Sequence, residues 1–133
     1  MTDKKRICVQ DVMKTDFGTI GGGATIAEAL DEMRRKKTAL LVVDKRDEND
    51  EYGLLLASHI ARQVLAKDKA PERVNVYEIM AKPLLSVDPD MDIRYCARYF
   101  ENFGLSRAPV VEHRKIIGII SFTDMVLTGL VNF

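Results

Sequence analysis

Apolar residues fall into helical and strand-like spacings that alternate in the same order twice along the chain. Ile26, Ala29, Leu30 and Met33 recur at helical spacing. Thr25 and Glu28 stand at their head in capping-box spacing, which predicts the start of a helix. Ile93, Cys96, Ala97 and Phe100 repeat the pattern, after Asp90 or Asp92 as cap. Each predicted helix is followed by two apolar runs joined by a polar stretch, which predicts a hairpin. The first pairs 39–44 with 52–56 across the charged turn 45–51; the second pairs 108–112 with 116–120 across 113–115. Each hairpin runs into a further helix, near 58–67 and near 123–131. Val9-Gln10-Asp11-Val12-Met13 heads the first series, and Val76-Tyr77-Glu78-Ile79-Met80 heads the second.

A unit of short strand, helix, hairpin and helix is therefore used twice, giving an α/β (α+β) fold of two β-α-β-β-α repeats. One repeat of about 60 residues buries its apolar faces poorly, and packing two together with pseudo-two-fold symmetry solves that. The expected divisions are 1–68 for the first repeat with its entry segment, 69–75 for a linker containing Pro71, and 76–133 for the second repeat.

Charge narrows the partners. Lys plus Arg and Asp plus Glu number 20 each, so neither nucleic acid nor an anionic membrane is expected as the main partner, and phosphate recognition must be local. The two cysteines, Cys8 and Cys96, are far apart and suggest a reducing compartment. No stretch reads as a signal peptide or approaches the roughly 18 apolar residues of a membrane span, so the expected location is the cytoplasm. Gly21-Gly22-Gly23 lacks the Gly-Lys-Ser/Thr of a phosphate loop, and His59 and His113 lack companion metal ligands. No nucleophile–base–acid set can be assembled, so no catalysis, metal or required cofactor is expected.

One stretch carries chemistry. Gly118-Ile119-Ile120-Ser121-Phe122-Thr123-Asp124 reads as a buried strand running at once into a helix. Ser, Thr and Asp at such a junction cap the free first-turn amides. The same arrangement sets a carboxylate and two hydroxyls beside open N–H groups, where a sugar diol and an anion can be held. A plain cap and a capped ligand site are both consistent with these residues.

The ordered recurrence of V-x-[DE]-[VI]-M, with P-V-V-E at 109–112 and G-I-I-S-x-x-D at 118–124, resembles a tandem pair of CBS domains, a Bateman module, over essentially the whole chain. The resemblance implies a stand-alone regulatory pair that binds an adenine nucleotide or adenosyl compound, of the AMP, ADP, ATP or S-adenosylmethionine class, between its repeats. Carried over by position, Asp124 accepts from both ribose hydroxyls. Ser121 and Thr123 support ribose or phosphate, and Ile119 packs against the base. The entry segment brings Met13, Phe17 and Gly18. The residues ahead of each hairpin bring Lys37, Thr38 and Ala39, then Ser106 and Arg107. Met13, Phe17 and Ala39 are apolar walls for adenine, and Arg107 and Lys37 are cations for phosphate. The first repeat departs from the pattern, with Leu56 for the hydroxyl and His59 for the carboxylate. A neutral imidazole cannot accept from two hydroxyls as a carboxylate can, so one ligand per chain is expected. The resemblance also implies a homodimer through helices such as 97–103 and 125–131, and an effector protein regulated in trans. The alternatives are a dimerisation or docking scaffold that binds no ligand and, third, a small α/β enzyme.

Overall fold

The computed structural model describes residues 6–82 and 85–130; Val131, at the end of the last expected helix, lies outside them. The chain forms two compact units. A central unit begins at Phe17, and a terminal unit combines the described residues up to Asp16 with those from Leu85 onward.

The central unit holds a three-stranded sheet of β1 (Gly18–Ile20), β2 (Leu40–Val43) and β3 (Gly53–Leu56), in that order. β1 runs parallel to β2 with Gly18 opposite Leu41, and β3 runs antiparallel with Leu56 opposite Leu40. Every residue of β2 is buried, as expected of a β-branched and leucine-rich run covered on both faces. Helix α1 (Val9–Val12) belongs to the terminal unit. The central unit instead forms α2 (Ile26–Lys36), whose cap is the predicted one. The Thr25 hydroxyl accepts from the Glu28 N–H at 3.1 Å, and the Glu28 carboxylate accepts from the Thr25 N–H at 3.1 Å. β3 leads directly into α3 (Ala57–Ile60), which continues as a wider π turn, Ala61–Leu65. A single 3₁₀ turn, Pro71–Arg73, precedes α4 (Val76–Ile79). The core gathers Ile26, Ala29, Met33, Leu41, Val43, Leu55, Ile60, Val64, Val74 and Val76. Each large aliphatic side chain so buried contributes about 1.5–3 kcal/mol relative to exposure.

The terminal unit is built on α5 (Ile93–Phe103) and the hairpin β4 (Arg107–Glu112) and β5 (Lys115–Ser121). β5 runs into α6 (Phe122–Asp124), followed by a π turn, Met125–Gly129. The two-residue hairpin turn places His113 and Arg114 at φ of 53° and 66°, the left-handed pair that suits tight hairpins. Asp92 is the cap of α5, accepting from the Arg94 N–H at 2.8 Å. The Arg94 guanidinium, donating at 2.7 Å, holds the Asp92 carboxyl down to about 2. The short strand expected at the head of the second repeat is reduced to one parallel bridge, Val87 beside Val110. Pro89, two residues on, has no N–H with which to extend it. The core comprises Ile7, Val9, Val12, Val87, Ile93, Cys96, Phe100, Ala108, Val110, Ile120 and Met125. Cys96 is fully buried, and that burial pushes its thiol up to about 11, so it behaves as a small apolar residue. Tyr95 and Phe103 on α5, with Leu127 and Leu130 beyond α6, stay more than half exposed.

These units cut across the sequence repeats. Residues 7–10, at the head of the first repeat, are zipped to the second. The Val9 N–H donates to Met91 O at 2.8 Å, Gln10 N–H to Pro89 O at 2.9 Å, and Ile93 N–H to Ile7 O at 2.9 Å. The head of the second repeat does the reciprocal. The Val76 N–H donates to Ala24 O at 2.9 Å, and the Tyr77 N–H to Gly22 O at 3.0 Å.

Candidate functional site

The strand-to-helix junction of the terminal unit is fully organised by its own side chains. Ser121 Oγ accepts from the Asp124 N–H at 3.2 Å and donates to Asp124 Oδ2 at 2.9 Å. The Ser121 N–H donates to the same Oδ2 at 3.1 Å. Oδ2 therefore has both lone pairs committed to the cap. Oδ1 faces a different group, the Lys14 ammonium at 3.8 Å. Asp124 is only 5 % exposed, whereas the Lys14 side chain is 75 % exposed. An ion pair with so mobile a partner contributes about 1 kcal/mol or less.

The backbone explains why Lys14 stands there. Its N–H donates to Ile119 O and its carbonyl accepts from the Ile119 N–H, both at 2.9 Å. This bridge holds the entry segment against β5, two residues before Ser121. Close approach requires Gly118, where an added Cβ would lie 2.5 Å from Met13 Sδ and 3.0 Å from Lys14 O. Arg107 lies directly opposite Ser121 in the β4–β5 ladder. Its Nε is buried and has no hydrogen-bond partner among the described residues. Ser106 is exposed, and its carbonyl accepts from the Phe122 N–H at 3.1 Å, fastening the first turn of α6 to β4. Thr123 is exposed and Ile119 is buried.

Of the expected ligand set, Met13, Ser106, Arg107, Ile119, Ser121, Thr123 and Asp124 are gathered in this unit. Phe17, Gly18, Lys37, Thr38 and Ala39 belong to the central unit. There Lys37 ends α2 in the left-handed region at φ 54°, and Thr38 Oγ1 is engaged locally with Leu40 at 3.2 Å. Gly18 is buried against Leu41, and Ala39 O accepts from the Ala57 N–H at 2.9 Å. That last bond mirrors the one from Phe122 to Ser106.

The mirrored junction differs in its acid. His59 Nδ1 accepts from the Leu56 N–H at 3.1 Å, doing for α3 what Asp124 Oδ2 does for α6. Its one acceptor nitrogen is thereby used, which leaves only a donor at Nε2. Burial pushes the His59 pKa below its ordinary 6.5, and the nearby Arg62 charge acts in the same direction. A cavity of about 370 Å³ does open in the central unit, lined by Gly22, Gly23, Val43, Tyr77 and Met80 and by the Asp50–Lys82 ion pair. None of its lining residues is in the expected ligand set.

Lys14 was not among the residues singled out by motif. The available signal was a lysine directly after the V-x-[DE]-[VI]-M segment, where the second repeat has Ala81. Among the described residues no group of three His, Cys, Asp or Glu could hold a metal ion, and no helix is long and apolar enough to cross a membrane.

Comparison with known proteins agrees with this architecture. The CBS domain family model matches residues 9–66 and 76–128. The hexameric CBS-CP12 protein from bloom-forming cyanobacteria superposes with a TM-score of 0.86 at 38 % identity, covering 92 % of this chain and 67 % of that one. The CBS domain pair of protein MJ0100, crystallised with 5′-methylthioadenosine and S-adenosyl-L-methionine, shares the fold with a TM-score of 0.76 at 22 % identity. It aligns over 92 % of this chain and 94 % of that one. Among curated relatives, a homoserine O-acetyltransferase of Methanosalsum zhilinae is 33 % identical over 120 residues, 90 % of this chain. The chain spans 23 % of that enzyme and 62 % of a relative from Methanopyrus kandleri, 25 % identical over 91 % of this chain. With a duplicated helix–hairpin–helix unit, exchanged opening segments and a family match over both halves, the chain belongs to the CBS domain family, as a tandem pair of CBS repeats.

Proposed function

We propose that this CBS pair is a regulatory, ligand-sensing module that binds an adenine nucleotide or adenosyl compound with Asp124 on the ribose. The observation that carries the reading is the division of labour in the Asp124 carboxylate. Oδ2 is spent on the cap, while Oδ1 is left to one exposed lysine at 3.8 Å. A cis-diol displacing that lysine can donate to the two lone pairs of Oδ1 without disturbing the helix start. Arg107 adds a buried Nε–H that has no acceptor among the described residues, and an unpaired buried donor costs about 1–3 kcal/mol until one is supplied. The two ligands named with the MJ0100 pair are both adenosyl compounds and so both carry a ribose.

In this reading Met13 and Ile119 offer apolar surface to the base, while Ser106, Ser121 and Thr123 offer polar atoms to ribose or phosphate. The His59 junction, its acceptor already used, takes no ribose, so binding is one ligand per chain. Binding regulates only if the ligand prefers one arrangement of the protein over another. The arrangement concerned is a cytoplasmic homodimer acting on an effector protein, and the exposed Phe103, Leu127 and Leu130 are its contact residues.

Calorimetric titration of AMP, ADP, ATP and S-adenosylmethionine into wild type, Asp124→Ala and Asp124→Asn tests the ribose assignment. Both substitutions should weaken the bound ligand at least tenfold, and equal affinity would sink the assignment. The same titrations on Lys37→Ala and Ala39→Phe test the roles expected for Lys37 and Ala39. A panel in which no compound raises the melting temperature would instead favour the scaffold without ligand, because any ligand preferring the folded state must raise stability.

A further inference from the structure

We infer that Lys14 is the charge selector of the Asp124 site, making the site specific for a ribonucleoside carrying negative charge and unfavourable to a cationic adenosyl compound. The inference rests on the ribose reading above. Three differences between the two junctions lead to it. Where the terminal unit has Asp124, the central unit has His59 at the matching place in the cap. Where the terminal unit has Lys14 bridged to Ile119, the central unit has Ala81 bridged to Leu54, with backbone distances of 2.9 and 3.0 Å. Where Arg107 stands opposite the capping Ser121, Leu40 stands opposite Leu56.

The backbone pairing thus has no need of a lysine, since alanine makes the same bridge. The helix start has no need of a carboxylate, since a neutral imidazole makes the same cap. Lysine, arginine and aspartate occur together at one junction and are all missing from the other, so their common purpose lies outside the fold.

The charges then define the ligand. Lys14 and Arg107 are cations and Asp124 is an anion, so these groups sum to one positive charge. While Lys14 lies 3.8 Å from Oδ1 it neutralises the carboxylate. A diol that takes Oδ1 displaces the ammonium, which then needs a new anion. Its long, exposed side chain can swing to a phosphate on the same ligand while its backbone stays bridged to Ile119. The Arg107 Nε–H, with no acceptor among the described residues, points to a second anionic contact. A sulfonium ligand satisfies the diol contact and then sets a positive charge among two cations.

The test is titration of adenosine, AMP and S-adenosylmethionine into wild type, Lys14→Met, Lys14→Arg and Asp124→Asn. Wild type should bind AMP at least tenfold more tightly than adenosine or S-adenosylmethionine. Lys14→Met should weaken AMP about fivefold or more while leaving adenosine within twofold, and Lys14→Arg should retain the preference. Folding is not at stake, because the lysine side chain is exposed and Ala81 already shows a shorter residue in this bridge. If S-adenosylmethionine matches AMP on wild type, or Lys14→Met keeps the AMP-to-adenosine ratio, the selector role is overturned. If Asp124→Asn still weakens all three compounds in that case, the ribose reading survives without it. If Asp124→Asn changes none of them, the ribose reading itself has failed and the selector falls with it.

Discussion

The close approach of the entry segment to β5 can be tested by adding one methyl group. In Gly118→Ala the new Cβ would meet Met13 Sδ at 2.5 Å, Met13 Cγ at 2.9 Å and Lys14 O at 3.0 Å. The methionine can rotate away. The Lys14 carbonyl is less free, because it accepts the Ile119 N–H at 2.9 Å. Overpacking of this kind costs about 1–3 kcal/mol. Gly118 has no positive φ, so alanine adds no backbone strain, and the smaller entropy of its unfolded chain returns about 0.4–1 kcal/mol. The expected net loss is about 1–2 kcal/mol. With a urea m-value of about 1–3 kcal/mol/M, that lowers the unfolding midpoint by roughly 0.3–2 M. Gly21→Ala is the control, since a Cβ there has nothing within 4 Å; its midpoint should stay level or rise slightly. Met13→Ala combined with Gly118→Ala should cost less than the two single changes added together, because truncating the methionine makes room for the methyl. A Gly118→Ala midpoint equal to or above that of Gly21→Ala would refute the claim that this glycine is there for proximity.

Acid sensitivity should divide between the two units. His59 binds its proton more weakly folded than unfolded, so its contribution is full above the ordinary 6.5 and fades as pH falls through the lower folded value. Melting curves from pH 7.5 to 5 should show this loss, and His59→Asp, which keeps an acceptor for the Leu56 N–H, should flatten them; identical slopes would count against the cap. Asp92 releases its proton more easily folded, at about 2, than at its ordinary 3.8. Its stabilisation is therefore full above 3.8 and lost as pH falls through about 2. Asp92→Asn should be destabilised near neutrality and should approach wild type in strong acid. A constant difference across that window would exclude the Arg94 pair as the cause.

What could be read from the sequence was what neighbouring residues decide. Thr25 and Glu28 cap α2 as their spacing predicts, because a capping box spans a single turn. The hairpins appear where two apolar runs flank a polar turn, although β5 extends to Lys115 and Ser121 at its ends. The choice between Asp90 and Asp92 needed the structure, since either carboxylate stands close enough to start α5. The π turns after α3 and α6 were not legible, because a widened helix keeps the same apolar spacing over five residues. At the candidate site, the S-x-x-D junction was visible as a local motif. Lys14 was not, because its relation to Asp124 depends on the backbone bridge to Ile119 across more than a hundred residues.

The exchanged opening helices bear on how such a chain can be divided. A fragment containing only residues 69–133 would keep β4, β5 and α5 but lose Val9 and Val12 from their shared core. A fragment ending at 68 would lose Val74 and Val76 from the other core. Neither half is a minimal folding unit, yet each carries the plug that the other lacks. Two separately synthesised halves should therefore complement one another in a mixed solution, and a half left alone should recruit a second copy of itself to fill the gap. Duplication within one polypeptide turns that exchange between molecules into one within a molecule, at the high effective concentration that covalent linkage supplies.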